Sequence, residues 1–152
     1  MELKVKKVKE NAKLPIRGSE KAAGLDVYMC LDSKMVSIAP GESKMLSTGI
    51  ACEFPDNIFG MLVPRSSTGE KGLIMTNTIG IIDNDYRGEI KVPLKNIGDK
   101  RVVIEDGDRL VQLVLLNGIV SGTNFEELNI TQVDTLSVTK RNTGGFGSTG
   151  TK

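Results

Sequence analysis

The sequence predicts an all-β fold, a β-sandwich or jelly roll, with one short helix. Three observations predict it. The apolar runs are short and rich in β-branched residues, turn signals recur between them, and no window carries the long amphipathic pattern of a helix. The first strong run is Ile58-Phe59-Gly60-Met61-Leu62-Val63, entered through the turn Pro55-Asp56-Asn57. Ser66-Ser67 follow, and their hydroxyls suit the N-cap of one short helix. Next, Ile90, Val92 and Leu94 alternate with Glu89, Lys91 and Pro93, the period-two pattern of a half-buried strand. The turn Asn96-Ile97-Gly98-Asp99 leads to Arg101-Val102-Val103-Ile104, and Asp106-Gly107-Asp108 leads to Leu110–Leu116. The stretch Leu110–Val120 is the most apolar in the chain. It is short and holds Gln112 and Asn117, so it predicts a core strand and not a membrane span. Residues Thr123–Thr139 suggest only an edge strand and loop.

A chain of 152 residues suffices for one domain with a real core. Lys and Arg number 20 against 19 Asp and Glu, so no general field draws the protein to nucleic acid or anionic membrane. Phosphate binding then requires a local site. The absence of His excludes His-based acid–base catalysis, His triads and His metal sites. Cys30 and Cys52 lack metal-ligand spacing and read as buried free thiols. Charges near the N-terminus are followed by no apolar run, so the expectation is a soluble, cytoplasmic protein without a secretory signal.

Five polar or Gly-rich segments carry the candidate chemistry. Ala22-Ala23-Gly24-Leu25-Asp26, taken alone, is a turn with an exposed acid. Pro64-Arg65-Ser66-Ser67-Thr68-Gly69 joins a guanidinium to hydroxyls and free amides at a helix start, which favours an anion; otherwise it is a helix cap beside a surface Arg. Gly80–Glu89 sets Asp83 and Asp85 around Asn84, either as a polar hairpin tip or as the source of a general base for water. Gly107-Asp108-Arg109-Leu110-Val111-Gln112-Leu113 is a turn into a strand with a Gln among apolar neighbours. The last, Asn142–Gly150, is dense in Gly, Ser and Thr around Phe146 and cannot hold one conformation alone. It predicts a mobile arm, a plain tail or else a lid that stacks Phe146 on a base while Arg141, backbone amides, Ser148 and Thr149 meet phosphate oxygens.

In this order the five segments resemble the five motifs of the trimeric dUTPase family. They are Ala23-Gly24-Leu25-Asp26, Pro64-Arg65-Ser66-Ser67, Gly80–Glu89, Gly107–Leu113 and Arg141–Gly150. The resemblance implies a β-clip-like jelly-roll subunit, with residues 1–140 as core and 141–152 as the arm. It implies a homotrimer whose three sites each draw on all three chains. One chain supplies the first, second and fourth motifs, another the third as a uracil-reading hairpin, and the third chain closes its arm. It further implies hydrolysis of dUTP to dUMP and pyrophosphate, which limits uracil in DNA and supplies dUMP for thymidylate synthesis.

The resemblance also assigns residues. Asp83 matches the base that activates water against the α-phosphorus. Asn77 matches the uracil-contacting Asn, Ile82 is a further substrate-binding residue, and Tyr86 matches the ring that packs under deoxyribose and excludes a 2′-hydroxyl. Arg65, Ser66 and Gln112 match phosphate-contacting groups, and Ser67 is a further substrate-binding residue. Arg141 matches a catalytic phosphate contact of the arm, with Phe146, Gly147, Ser148 and Thr149 as its substrate contacts. Asp26 matches the acid that holds Mg²⁺ through water. A Mg²⁺ ion with few protein ligands and a late-closing Arg suit phosphoryl transfer without His. Two departures stand out: Asn142 where the family has Gly after the arm's Arg, and Ser67-Thr68-Gly69 where many members have Gly-Leu-Ala. A dCTP deaminase-like enzyme and a regulatory nucleotide-binding protein of the same fold are the alternatives.

Overall fold

Turn residues cut the chain into short extended runs. The structure, a computed structural model, describes residues 2–118. The strands before the helix are β1 (Lys4–Lys7), β2 (Ile16–Arg17), β3 (Leu25–Tyr28), β4 (Met35–Ile38), β5 (Ser43–Ser47), β6 (Ile50–Glu53) and β7 (Ile58–Pro64). The helix α1 (Ser66–Glu70) follows, and then β8 (Leu73–Met75), β9 (Gly80–Ile82), β10 (Lys91–Asn96), β11 (Val102–Glu105) and β12 (Arg109–Asn117). The expected all-β fold with one short helix is what forms.

A five-stranded sheet runs β2-β3-β12-β7-β9, a three-stranded sheet runs β5-β10-β8, and β4-β11 and β1-β6 form two-stranded ribbons. These sheets bury one shared core. The large sheet contributes Val27, Leu62, Val111 and Leu113, the three-stranded sheet Leu46, Met75, Val92 and Leu94, and the ribbons Ile38, Ile50, Cys52 and Ile104. The alternation read at Ile90, Val92 and Leu94 holds: all three are buried while Lys91 is exposed. Each such side chain removed from water stabilises the fold by about 1.5–3 kcal/mol. Cys30 and Cys52 are free and buried.

Two local expectations are corrected. The helix begins at Ser66, so Arg65 is its N-cap, with extended backbone and no side-chain cap hydrogen bond. Ser66 and Ser67 already lie inside the first turn, where a hydroxyl does not cap. The helix start is instead tied to β12, because the Leu110 carbonyl accepts from Arg65 N at 3.0 Å and from Thr68 Oγ1 at 2.5 Å. The third segment is not the tip of a simple hairpin. β9 pairs with β7, whereas β10 pairs with β5 and β8, so residues 83–90 cross from one sheet to another. Asn84 Nδ2 holds this crossing at one end by donating to the carbonyls of Pro55 (2.9 Å) and Ile58 (2.7 Å).

Candidate active site

Strand pairing builds the first part of the site. Asp26 on β3 stands opposite Gln112 on β12, which stands opposite Val63 on β7, so Arg65 just beyond β7 reaches the same face. A bulge in β12 between Arg109 and Val111 sets Arg109 opposite Tyr28. The result is a carboxylate held by two guanidiniums: Asp26 Oδ1 is 3.0 Å from Arg65 Nε, and Oδ2 is 3.2 Å from Arg109 Nη1. Asp26 is buried, 6% exposed, which corrects the picture of a turn with an exposed acid. Arg65 Nη1 also donates to the Arg109 carbonyl at 3.0 Å. Arg109 and Lys13 lie over the Tyr28 ring, 5.9 and 5.5 Å from its centroid.

One carboxylate among these cations leaves a net positive cluster, suited to a polyanion. Gln112 sits close beside Gly24, where any Cβ would stand 3.0 Å from the Gln112 Oε1, so Gly24 makes room for it. Ser66 is exposed and Ser67 half-buried on α1. Sequence reasoning missed Arg109, Tyr28 and Lys13. Arg109 stood inside the fourth segment, but nothing local tied it to an acid 83 residues earlier.

The second part is a cavity of about 420 Å³ whose lining includes Asn77, Ile82, Asp83, Tyr86 and Glu89. This volume lies within the range of small-molecule pockets. Here the structure brings together four residues that the sequence singled out. Asp83 is an exposed member of this lining. Asn77 is presented by a tight turn in which Thr78 has a positive φ of 61°, a strained conformation for a β-branched residue. Arg141, Phe146, Gly147, Ser148 and Thr149 lie outside the described residues, as do Thr123–Thr139.

The two parts do not meet within one chain. Ile82 pairs with Gly60 near one end of β7, so Asp83 stands level with Phe59. Arg65 follows Pro64 at the other end of that strand. Six residues of strand separate them by about 20 Å.

A family model described as dUTPase matches residues 10–150. The chain belongs to the dUTPase family. Among relatives of this family, the deoxyuridine 5'-triphosphate nucleotidohydrolase of Hydrogenobaculum sp. (strain Y04AAS1) is 43% identical over 153 residues, covering 100% of both chains. The enzyme of the same name from Escherichia phage T5 is 43% identical over 143 residues, covering 91% of this chain and 93% of the phage protein. A solved dUTPase of Staphylococcus bacteriophage 80alpha, with dUPNHPP, superposes with a TM-score of 0.81 at 26% identity, covering 98% of each chain. The dUTPase family match spans all five motif segments, the fifth included.

Proposed function

We propose that this chain hydrolyses dUTP to dUMP and pyrophosphate by water attack on the α-phosphorus, in a homotrimer whose sites are shared between chains. The carrying observation is the separation along β7. The cavity with Asp83 and the cationic cluster with Arg65 are too far apart in one chain to meet at one phosphorus atom. Copies of the chain that juxtapose the cavity of one with the cluster of the next bring both to a single nucleotide. The names of the relatives and the analogue in the phage enzyme support dUTP as the substrate.

In this reading Asn77 and Ile82 hold uracil, Tyr86 lies under the deoxyribose, and Asp83 takes the proton of the attacking water. Arg65, Ser66, Ser67 and Gln112 of a neighbouring chain bind the phosphates. The arm of a third chain, residues 141–152, closes over the nucleotide, bringing Arg141 to the phosphates and Phe146 to the base, with Gly147, Ser148 and Thr149 at the terminal oxygens. Closure excludes water and strengthens each of these charge contacts.

Mg²⁺ is the ion this reading requires. No group of three or more His, Cys, Asp or Glu side chains among the described residues is gathered to hold a metal. Each Asp26 oxygen faces a guanidinium and keeps further lone-pair capacity, which suits a hydrogen bond to an ion's water better than direct ligation. A hydrated Mg²⁺ carried by the triphosphate fits that donor set, because this ion keeps its waters and needs few protein ligands. When bound, it neutralises phosphate charge.

No helix among the described residues is long and apolar enough to cross a membrane. The cytoplasm, where the nucleotide pool lies, is the proposed place of action. The dCTP deaminase-like alternative is not favoured by the family match. Pyrophosphate release from dUTP, dCTP, dTTP and UTP tests the proposal: rapid release from dUTP alone is expected. Analogue binding without release would instead favour a regulatory protein of this fold.

A further inference from the structure

Near the end of the crossing segment stands Glu89, a residue with no role so far. Its carboxylate does not point into bulk water: the side chain is 19% exposed and faces the turn between β5 and β6. Glu89 Oε1 accepts from Ser47 Oγ and from the Gly49 N–H at 3.0 Å. The next residue is tied to the same turn, since Thr48 Oγ1 donates to the Ile90 carbonyl at 2.6 Å and Ile90 N donates to the Ile50 carbonyl at 2.9 Å. The Glu89 backbone is therefore pinned. Its own carbonyl then accepts the Tyr86 hydroxyl at 3.1 Å. Between them the Tyr86 ring lies against Gly88, where an added Cβ would come within 2.4 Å of the hydroxyl oxygen. The chain of contacts runs from the Ser47–Gly49 turn through the Glu89 carboxylate to the Glu89 carbonyl, and from there to the ring.

We propose that Glu89 is the positioning residue for sugar selection: by clamping the Ser47–Gly49 turn it fixes the Tyr86 ring in the pocket, and so sets the preference for deoxyribose over ribose. The inference rests on the reading that Tyr86 packs under the sugar. Steric exclusion of one hydroxyl needs a ring that cannot yield. A pocket that merely lacks a partner for the hydroxyl discriminates by only about 10². Without the carboxylate, the Gly49 N–H and the Ser47 hydroxyl lose their acceptor. The backbone that carries the ring's own anchor keeps its Ile90 hydrogen bonds but loses its side-chain clamp, so it is held less tightly.

The test compares kcat/KM for dUTP and UTP in the wild type, Glu89→Ala, Glu89→Gln and Ser47→Ala. A Gln side chain keeps one oxygen able to accept from both donors, so it should restore the selection. Glu89→Ala should narrow the dUTP/UTP ratio by about tenfold or more, Glu89→Gln should stay within about threefold of the wild type, and Ser47→Ala should fall between. A cooperatively folded Glu89→Ala protein with the wild-type ratio overturns the proposal. So does a Gln variant that loses selection as fully as the Ala variant. Where the Ala variant does not fold, an unchanged ratio in Ser47→Ala overturns it. A wild-type chain inert on dUTP would sink the dUTPase reading itself, a result separate from any change of ratio.

Discussion

Asp26 and Arg65 meet at 3.0 Å, a carboxylate on β3 against a guanidinium beyond the end of β7, with Arg109 closing on the other oxygen at 3.2 Å. The acid of the first motif thus shapes the cation of the second. In the proposed site the direction of Arg65's planar fork matters for binding phosphate, and the ion pair with Asp26 fixes that direction.

Asp26→Asn should destabilise the fold by about 1–3 kcal/mol. That is less than the 3–5 kcal/mol of breaking a fully buried pair, because both arginines reach solvent. It should also weaken binding of a nonhydrolysable dUTP analogue in the presence of a chelator, since part of its effect passes through Arg65. Calorimetric titration with and without Mg²⁺ checks this. Weakening seen only with Mg²⁺ would confine Asp26 to the ion's waters.

Asp83→Asn should keep nucleotide binding and lose turnover by about 10²–10⁴-fold, the range attributed to a positioned base. With no His in the chain, no imidazole can replace it. Single-turnover kinetics beside analogue affinity separates the two effects. Near-normal turnover would move the base elsewhere.

Thr78 adopts a φ of 61° in the turn that presents Asn77. Thr78→Gly should relieve the strain and raise stability, by up to about 1 kcal/mol after the entropy a glycine adds to the unfolded chain. Thermal melts of the two proteins decide it. A lowered midpoint would mean that the β-branched side chain contributes packing that outweighs the strain.

Burial raises the Cys52 thiol to about 11, and Cys30 is raised from its ordinary value by the same cause. Both should resist alkylation in the native protein at neutral pH and react on unfolding. A folded value above the unfolded one means that the folded state holds the proton more tightly. The stability linked to Cys52 is therefore fully present below about 9 and is lost as pH rises through about 11. Mass spectrometry after brief iodoacetamide exposure reads the first effect, and alkaline denaturation of Cys52→Ala beside the wild type reads the second.

The strands β7, β10, β11 and β12 were legible because their signals are local. Pro55-Asp56-Asn57 marks the entry to β7, and the alternation at Ile90, Val92 and Leu94 fixes which face of β10 is buried. Asn77, Ile82, Asp83 and Tyr86, which line the cavity, were singled out through the match to the third motif and the Asn before it; the cavity itself was not read from the sequence. What escaped was long-range. Nothing near Asp26 announces burial between Arg65 and Arg109, and nothing near Glu89 announces the Ser47–Gly49 turn. The helix start was misjudged by one to two residues for the same reason. The Leu110 carbonyl, not a serine hydroxyl, holds it.

Sharing of the site between chains is the claim on which the rest depends, and subunit complementation tests it most directly. Asp83→Asn and Arg65→Ala chains, each inactive alone, are co-refolded in equal amounts and assayed for pyrophosphate release from dUTP. In a trimer whose cavity and cationic cluster come from different chains, mixed assemblies contain sites with an intact Asp83 and an intact Arg65. Random mixing should then restore about a quarter of wild-type activity. If both groups act within one chain, every site in every mixture carries one defect, and no recovery beyond the separate variants would contradict the account.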